Sequence, residues 1–332
     1  MIVRVPLAAA VFICVVTSLI GLAAPLYPTA DFLNHFRPFL AAGSAVLLVA
    51  SLAVRSRRLA LASTALLVLN AALLALPLLW SAAPVQRHAA GQALAGTDGQ
   101  EIKLVTFNTA YRDPKAIARF LLREDADIVV LQEIGARQGG ALRQLLSARY
   151  PYSHLCTMRR CGAAIFSRRA WAEAGHDYQS AQTPETIWVR FDDPELGRLR
   201  VIGVHLSLPF RSGPQAHQID RLIALARKAR EPVILAGDFN MTPWSYRLQR
   251  LLATTGLRRH AMLLRSWPTD GQFRLPLPVF LIDHVLTTQD ITSVAIRTGP
   301  KIGSDHLPVI ARMQLRKRTD EPHREPRTSR RP

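Results

Sequence analysis

The chain has 332 residues, 49% of them hydrophobic, and a formal net charge of +18 from 42 Lys and Arg against 24 Asp and Glu. That length allows one large domain or two modest ones. The charge favours polyanionic partners such as nucleic acid, phosphorylated head groups or an anionic membrane face, although a soluble surface with a basic tail gives the same excess. The charge is unevenly spread, since residues 1–80 hold only five basic residues (Arg4, Arg37, Arg55, Arg57, Arg58) and one acid, Asp31, while the chain from Gln100 onward reads like a soluble protein.

Three apolar runs come first: Val5–Ala24, Pro38–Val54 and Leu59–Trp80. A helix crossing the hydrocarbon core needs about 20 mostly apolar residues, which the first and third supply. The second is short and needs snorkelling or local thinning of the bilayer. Arg4 ahead of the first run also fits a cleaved signal peptide, but two further runs favour a membrane anchor of three transmembrane helices over residues 1–80. The basic "RSRR", Arg55–Arg58, is expected to stay cytoplasmic. Arg4 then lies on the same side. The third span delivers the rest of the chain to the periplasmic or exterior face of a cell (inner) membrane, with Tyr27 and Trp80 near span ends.

Residues 81–100 are Ala/Gly/Gln-rich and read as a linker. From Glu101 strands and helices alternate. "EIKLVTFN" is strand-like, and "DPKAIARFLLRE" has helical spacing behind Asp113–Pro114. "ADIVVLQE" reads as a buried strand and "GGALRQLLSARY" as a helix. Cys156 and Cys161 flank "TMRR" between two short strands, where a disulfide can form outside the cytoplasm. "TIWVRFDD" and "GRLRVIGVHLSLP" are further strands, "GPQAHQIDRLIALARKAR" a long amphipathic helix and "EPVILAGDFN" another buried strand. A helix near Ser245–Thr255 and strands around Phe280–Leu286, Asp290–Arg297 and Leu307–Leu315 complete the domain. Hairpins in both halves predict sheets packed on each other with helices outside. The end of the chain, residues 317–332, is basic, lacks any apolar period and reads as a disordered tail.

Several of these apolar strands end in polar groups: Asn108 after "LVTF", Gln132–Glu133 after "IVVL", His205 in "RVIGVHL", and Asp238 and Asn240 in "VILAGDFN". Asp283–His284 sit in "FLIDHVL" and Asp305–His306 in "GSDHLPV". Strands that deliver polar groups at their ends build a site on rigid supports. Carboxylates and an amide suit a hard divalent cation, Mg²⁺ or Mn²⁺, with Glu133 touching the ion and Asn108 and Asp305 beside it. A zinc site has no HExxH helix or Cys cluster behind it. Asp238, supported by Asn240, can activate water. His306, oriented by Asp283, can stabilise phosphoryl charge, and His205 can protonate the leaving oxygen. His284 and His217 read as packing or surface residues. Arg159, Arg160, Arg168 and Arg211 could meet phosphate, though a solvated basic face is the simpler account. Trp267 in "RSWPT" is either a substrate-side residue or core.

"TFN", "LQE", "GVHLSLP", "GDFN", "IDHVL" and "GSDHLPV", in this order, resemble the endonuclease/exonuclease/phosphatase (DNase I-like) superfamily over residues 101–316. The resemblance implies a four-layered α/β sandwich with a Mg²⁺-dependent site at one edge. It assigns the metal end to Asn108 and Glu133, the water-activating pair to Asp238 and Asn240, and the acid–histidine end to Asp283, Asp305 and His306. His205 matches the histidine of the DNase I and sphingomyelinase branches. Ala110 stands where abasic-site enzymes carry an acid, and "QEIG" lacks the Lys that follows their "QE". An abasic-site repair role is therefore disfavoured. The expectation is a membrane-anchored metal-dependent phosphoesterase, first of all a phosphodiesterase or endonuclease. The alternative is a lipid-directed phosphodiesterase or phosphatase, sphingomyelinase-like or inositol-phosphatase-like, and after it a catalytically silent binding scaffold.

Overall fold

A computed structural model of the chain describes residues 3–81, 99–158, 160–261, 263–269 and 279–316. Most of the expected linker, the basic tail and Arg159 lie outside the described residues. At the N-terminus, α1 (Arg4–Leu22), α2 (Asp31–Asn34), α3 (Arg37–Ala53) and α4 (Arg57–Ser81) form a helical bundle. Helices α1 and α4 are each long and apolar enough to cross a membrane, with mean hydropathies of 2.5 and 2.2. The segment Pro28–Asn34 with α3, bent by 59°, makes a third span if the pair counts as one. The three apolar runs of the sequence thus reappear, with the middle one starting at Arg37 rather than Pro38 and preceded by a short helix.

Arg37 is buried in this bundle with its guanidinium hydrogen-bonded to neutral acceptors. Its guanidinium donates to Asn34 Oδ1 (3.0 Å), Asn70 Oδ1 (3.2 Å) and the Ser18 carbonyl (3.2 Å), and Asn70 in turn donates to Ser44 Oγ (3.2 Å). Polar contacts of this kind join helices that have no hydrophobic drive to associate in lipid. Arg4 donates to the Val54 carbonyl at 3.0 Å, so the N-terminus and the "RSRR" turn share one end of the bundle. The other end meets the remainder of the chain.

That remainder is two six-stranded sheets. The first contains β1 (Gly99–Asn108), β2 (Ile128–Gln132), β3 (Tyr152–Cys156), β4 (Ala163–Ser167), β11 (Ile291–Thr298) and β12 (Val309–Arg316), in the order β11-β12-β1-β2-β4-β3. The second contains β5 (Glu173–Asp177), β6 (Glu185–Asp193), β7 (Gly197–His205), β8 (Val233–Asp238), β9 (Arg258–Arg259) and β10 (Asp283–Thr287), in the order β5-β6-β7-β8-β10-β9. Helices α5 (Pro114–Glu124) and α6 (Ala136–Leu146) cover the first sheet; α7 (Ser212–Lys228) and α8 (Tyr246–Thr255) cover the second. Leu104, Val130, Ile165, Val189, Val201 and Ile234 fill the space between the sheets. The result is the four-layered sandwich expected from the sequence.

Local chemistry explains the elements. Asp113 caps α5, accepting from the Lys115 and Ala116 amides at 3.0 and 3.3 Å, with Pro114 in the first turn. Cys156 and Cys161 are bonded as a disulfide between β3 and β4. Strand β5 has no counterpart in the sequence reading, because "EAGHD" has neither β-branched residues nor alternation. It exists because it pairs with β6, and Gly175 leaves room for Trp188: a Cβ there would lie 2.6 Å from the indole.

The bundle is joined to the sandwich by the turn Pro28–His35. Asp31 accepts from the Tyr246 amide (2.7 Å), the Arg247 amide (3.3 Å) and Ser245 Oγ (2.8 Å). An acid from the helical bundle therefore caps α8, whose own N-cap Ser245 makes no side-chain cap bond. Arg247 closes on Asp31 at 3.6 Å and donates to the Pro28 carbonyl. His35 Nδ1 accepts from the Thr242 amide at 3.2 Å, and Trp244 donates to the Leu74 carbonyl at 3.0 Å.

Candidate active site

Side chains alternate across a strand, and this alternation selects the site. In β8, Ile234 and Ala236 face the inter-sheet core while Val233 and Leu235 face the helices, so Asp238 follows the inner set. The same parity puts Asn108 behind Leu104 in β1, and His205 behind Val201 in β7. Asp283 of β10 shares the parity of Val285. Register then aligns them: His205 pairs opposite Asp238, and Asp238 opposite Asp283, across three neighbouring strands. In the other sheet Asn108 lies opposite Gln132, and the chain turns at Glu133 with φ +53.

Close packing of β7 and β8 depends on Gly237. Its φ is +147, and a Cβ would lie 2.0 Å from the Val204 carbonyl oxygen. Only glycine adopts this conformation without strain, so the residue before Asp238 is fixed by the crossing it makes.

The polar groups form one connected chain. Asn108 Nδ2 donates to Glu133 Oε1 and to Asp238 Oδ2, both at 3.0 Å. Asp238 Oδ1 accepts the Asn240 amide at 2.8 Å, while Asn240 Nδ2 is anchored on the Leu206 carbonyl at 2.9 Å. His306 Nδ1 bonds Asp283 Oδ2 at 2.9 Å and its Nε2 stands 3.7 Å from Asp238 Oδ2. Ser304 Oγ accepts the His306 amide (3.0 Å) and donates to the Asn108 carbonyl (2.7 Å), tying the last loop to β1. His205 Nε2 lies 3.6 Å from Glu133 and 3.8 Å from Asp238.

Electrostatics follow from burial and spacing. Burial pushes the Asp238 carboxyl up to about 6, with nearby Asp283 adding to the rise and the His306 and His205 imidazoles opposing it. Burial alone would lower His306, but Asp283 and Asp238 together carry it up to about 10. The pair is thus an acid–histidine couple biased towards the charged imidazole. His284 has the opposite fate. It faces the helix layer, bonds the Met241 carbonyl at 2.7 Å, and burial lowers it to about 4.

The remaining expected residues fall into place unevenly. Asp305 lines the same cavity, but its Oδ2 accepts the Trp267 indole N–H at 3.0 Å. Trp267 is therefore at the site, with its ring 6.3 Å from that of His306. Arg211 lines the cavity; Arg168 instead pairs with Asp125 and Asp127. Sequence reasoning missed the residues that close the cavity from the helical bundle, Phe32, His35, Phe36 and Phe39, and missed Phe280 from the loop before β10. An acid and a histidine in the otherwise apolar front of the chain, "DFLNHF", were the available signal.

Two donor sets could hold a cation. Asp238, Asp283 and His306 offer atoms within 4.8 Å of one another, but the His306–Asp283 bond already uses two of them. Glu133, Asp238 and Asp305 line the cavity and offer hard oxygen donors of the kind that suit a divalent cation such as Mg²⁺ or Mn²⁺, although among the described residues they do not converge as closely as Asp238, Asp283 and His306. Asn108 Nδ2 bridges the Glu133 and Asp238 carboxylates as a neutral donor, while its Oδ1 accepts the Ala110 amide at 3.1 Å.

A family model described as endonuclease/exonuclease/phosphatase matches residues 105–306. The chain belongs to that family. Its members hydrolyse phosphoesters and depend on divalent metals. Among solved structures, an endonuclease/exonuclease/phosphatase from Beutenbergia cavernae DSM 12333 is 23% identical, with a TM-score of 0.54 over 65% of this chain and 72% of that one. Sphingomyelinase C from Streptomyces griseocarneus is 19% identical, with a TM-score of 0.50 over 64% and 99%. D. rerio TDP2 complexed with a single-strand DNA product is 15% identical, with a TM-score of 0.52 over 64% and 99%. No curated protein matches by sequence. At these identities the likeness carries the fold, and family membership carries the reaction class.

Proposed function

We propose that the chain is a membrane-anchored phosphodiesterase that hydrolyses its substrate by attack of a water activated at Asp238. The observation that supports it is the unbroken run of contacts Asp283–His306–Asp238–Asn108–Glu133. Asp238, held by Asn108 and Asn240, accepts the proton of the water. Charged His306, oriented by Asp283, donates to a phosphoryl oxygen as negative charge develops there. His205 protonates the leaving oxygen. A divalent cation, Mg²⁺ or Mn²⁺, held by Glu133 with Asn108 and Asp305, supplies charge neutralisation at the phosphate.

The anchor reading rests on α1 and α4 and on where charge lies. Arg4 and the "RSRR" turn share the bundle end away from the sandwich, which suits a cytoplasmic location for that end and a periplasmic or exterior catalytic domain. A nucleic-acid substrate leans on the basic excess. That excess is not gathered at the cavity: Arg168, Arg169, Arg190 and Arg200 are each paired with acids.

The test is metal-dependent hydrolysis of bis(4-nitrophenyl) phosphate by the full-length protein in nanodiscs. EDTA should abolish turnover and Mn²⁺ or Mg²⁺ restore it, while Asp238→Asn should lower kcat by about 10²–10⁴-fold. Undiminished turnover by that variant, or in EDTA, would sink the mechanism.

A further inference from the structure

The cavity above the site has a volume of about 770 Å³, within the range of about 300–1,000 Å³ typical of small-ligand sites. One end is the polar run of Glu133, His205, Asp238 and His306. The other end belongs to the anchor, through Phe32, Phe36 and Phe39. Aromatic rings connect the two ends. Phe32 and Phe36 lie 5.3 Å apart, Phe36 and Phe39 each meet Phe280 (5.8 and 6.0 Å), Phe280 meets Trp267 (5.8 Å), and Trp267 meets His306 (6.3 Å).

We propose that this wall is the chain-binding half of the active site, so that the substrate is an amphiphilic lipid phosphoester drawn from the bilayer that holds the anchor. The inference rests on the phosphoesterase reading and adds the substrate class. Three observations carry it.

First, the wall is not sealed packing: Phe39 is 49% exposed, and Leu208 and Phe210 on the facing loop are 44% and 64% exposed. Apolar groups left open around a polar end match an amphiphile. Second, Phe39 sits in the first turn of α3, so the cavity opens where the bent helix pair that can form a third span meets the sandwich. Third, Arg211 is the one Lys or Arg among the described residues that line it. A nucleic-acid strand would need a track of cations for its phosphates, whereas a single phosphoester does not.

The anchor's position is fixed by buried polar bonds rather than by apolar contact alone. Asp31 and His35 flank Phe32 and bind the loop and helix start just after Asn240. The wall is therefore held in register with the catalytic groups.

The experiment measures binding of ethyl, butyl, hexyl and octyl phosphate to full-length protein in nanodiscs by calorimetry, with empty nanodiscs as reference. The expected Kd tightens by roughly fourfold per methylene, and the slope falls by at least half in Phe39→Ser and in Phe210→Ser. Phe210 lies on an exposed loop, so its variant tests the wall without touching the core. Affinity independent of chain length overturns the proposal, as does a slope that neither variant changes. A short single-stranded oligonucleotide binding more tightly than octyl phosphate overturns it in favour of a nucleic-acid substrate. Hydrolysis of bis(4-nitrophenyl) phosphate with Mn²⁺ in the same preparation reports separately on the phosphoesterase reading. If that hydrolysis is absent, the reading fails even where the binding series succeeds.

Discussion

His284 and His306 show how position converts one residue type into two roles. His306 projects between the sheets, where Asp283 and Asp238 raise it to about 10. His284, adjacent in sequence to Asp283, projects the other way and is lowered to about 4 by burial. Its linkage to stability is therefore one-sided. Above the unfolded value of about 6.5 the imidazole is neutral in both states and costs nothing. As pH falls from there to about 4 the unfolded chain takes up a proton that the folded chain refuses, so folding loses ~3 kcal/mol across that window. His260, also buried and lowered to about 4, acts in the same direction. Asp238, raised to about 6, acts in the opposite direction over the same window, so the His284 contribution is read from the variant: in thermal melts of the full-length protein, His284→Gln should melt lower at pH 7.5 but lose less than the parent protein between pH 6.5 and 4. Parallel curves for the two proteins would exclude this account.

At the level of elements, α8 depends on a residue far away in the chain. Asp31 supplies its cap and partners Arg247, both of them buried. Removing a cap costs about 0.5–2 kcal/mol, and stranding a buried cation raises the cost to about 3–5 kcal/mol. Asp31→Ala should therefore lower the melting temperature of the full-length protein by more than Ser245→Ala does, because Ser245 makes no side-chain cap bond to α8. Equal shifts would mean that the joint is incidental. The loop after β8 carries both Asn240 and the anchor contacts, so the same substitution should also lower turnover.

The whole molecule places its basic turn and its catalytic domain at opposite ends of the bundle, with Cys156 and Cys161 bonded on the domain side. Both features agree with the proposed periplasmic or exterior placement of the domain. Under that proposal a C-terminal alkaline phosphatase fusion should be active in a bacterial host and a C-terminal green fluorescent protein fusion dark. The reverse pattern would put the domain in the cytoplasm and overturn the proposed orientation.

The sequence by itself determined the three apolar runs, the alternation of strands and helices, and the polar strand ends that became the site. These are local properties: hydrophobic period, turn chemistry and residue type act over a few positions, and the order of motifs along the chain is preserved on folding. What only the tertiary structure decided lies between distant segments. Which face His284 takes depends on the parity of β10 against β8. Strand β5 exists through its pairing with β6 rather than through its own composition. Asp31 looks, in the sequence, like a lone acid between two apolar runs, and becomes a helix cap only because α8 is brought to it. The aromatic wall has the same origin: Phe36 and Phe280 are 244 positions apart in the chain, and nothing local in either stretch marks them as one surface.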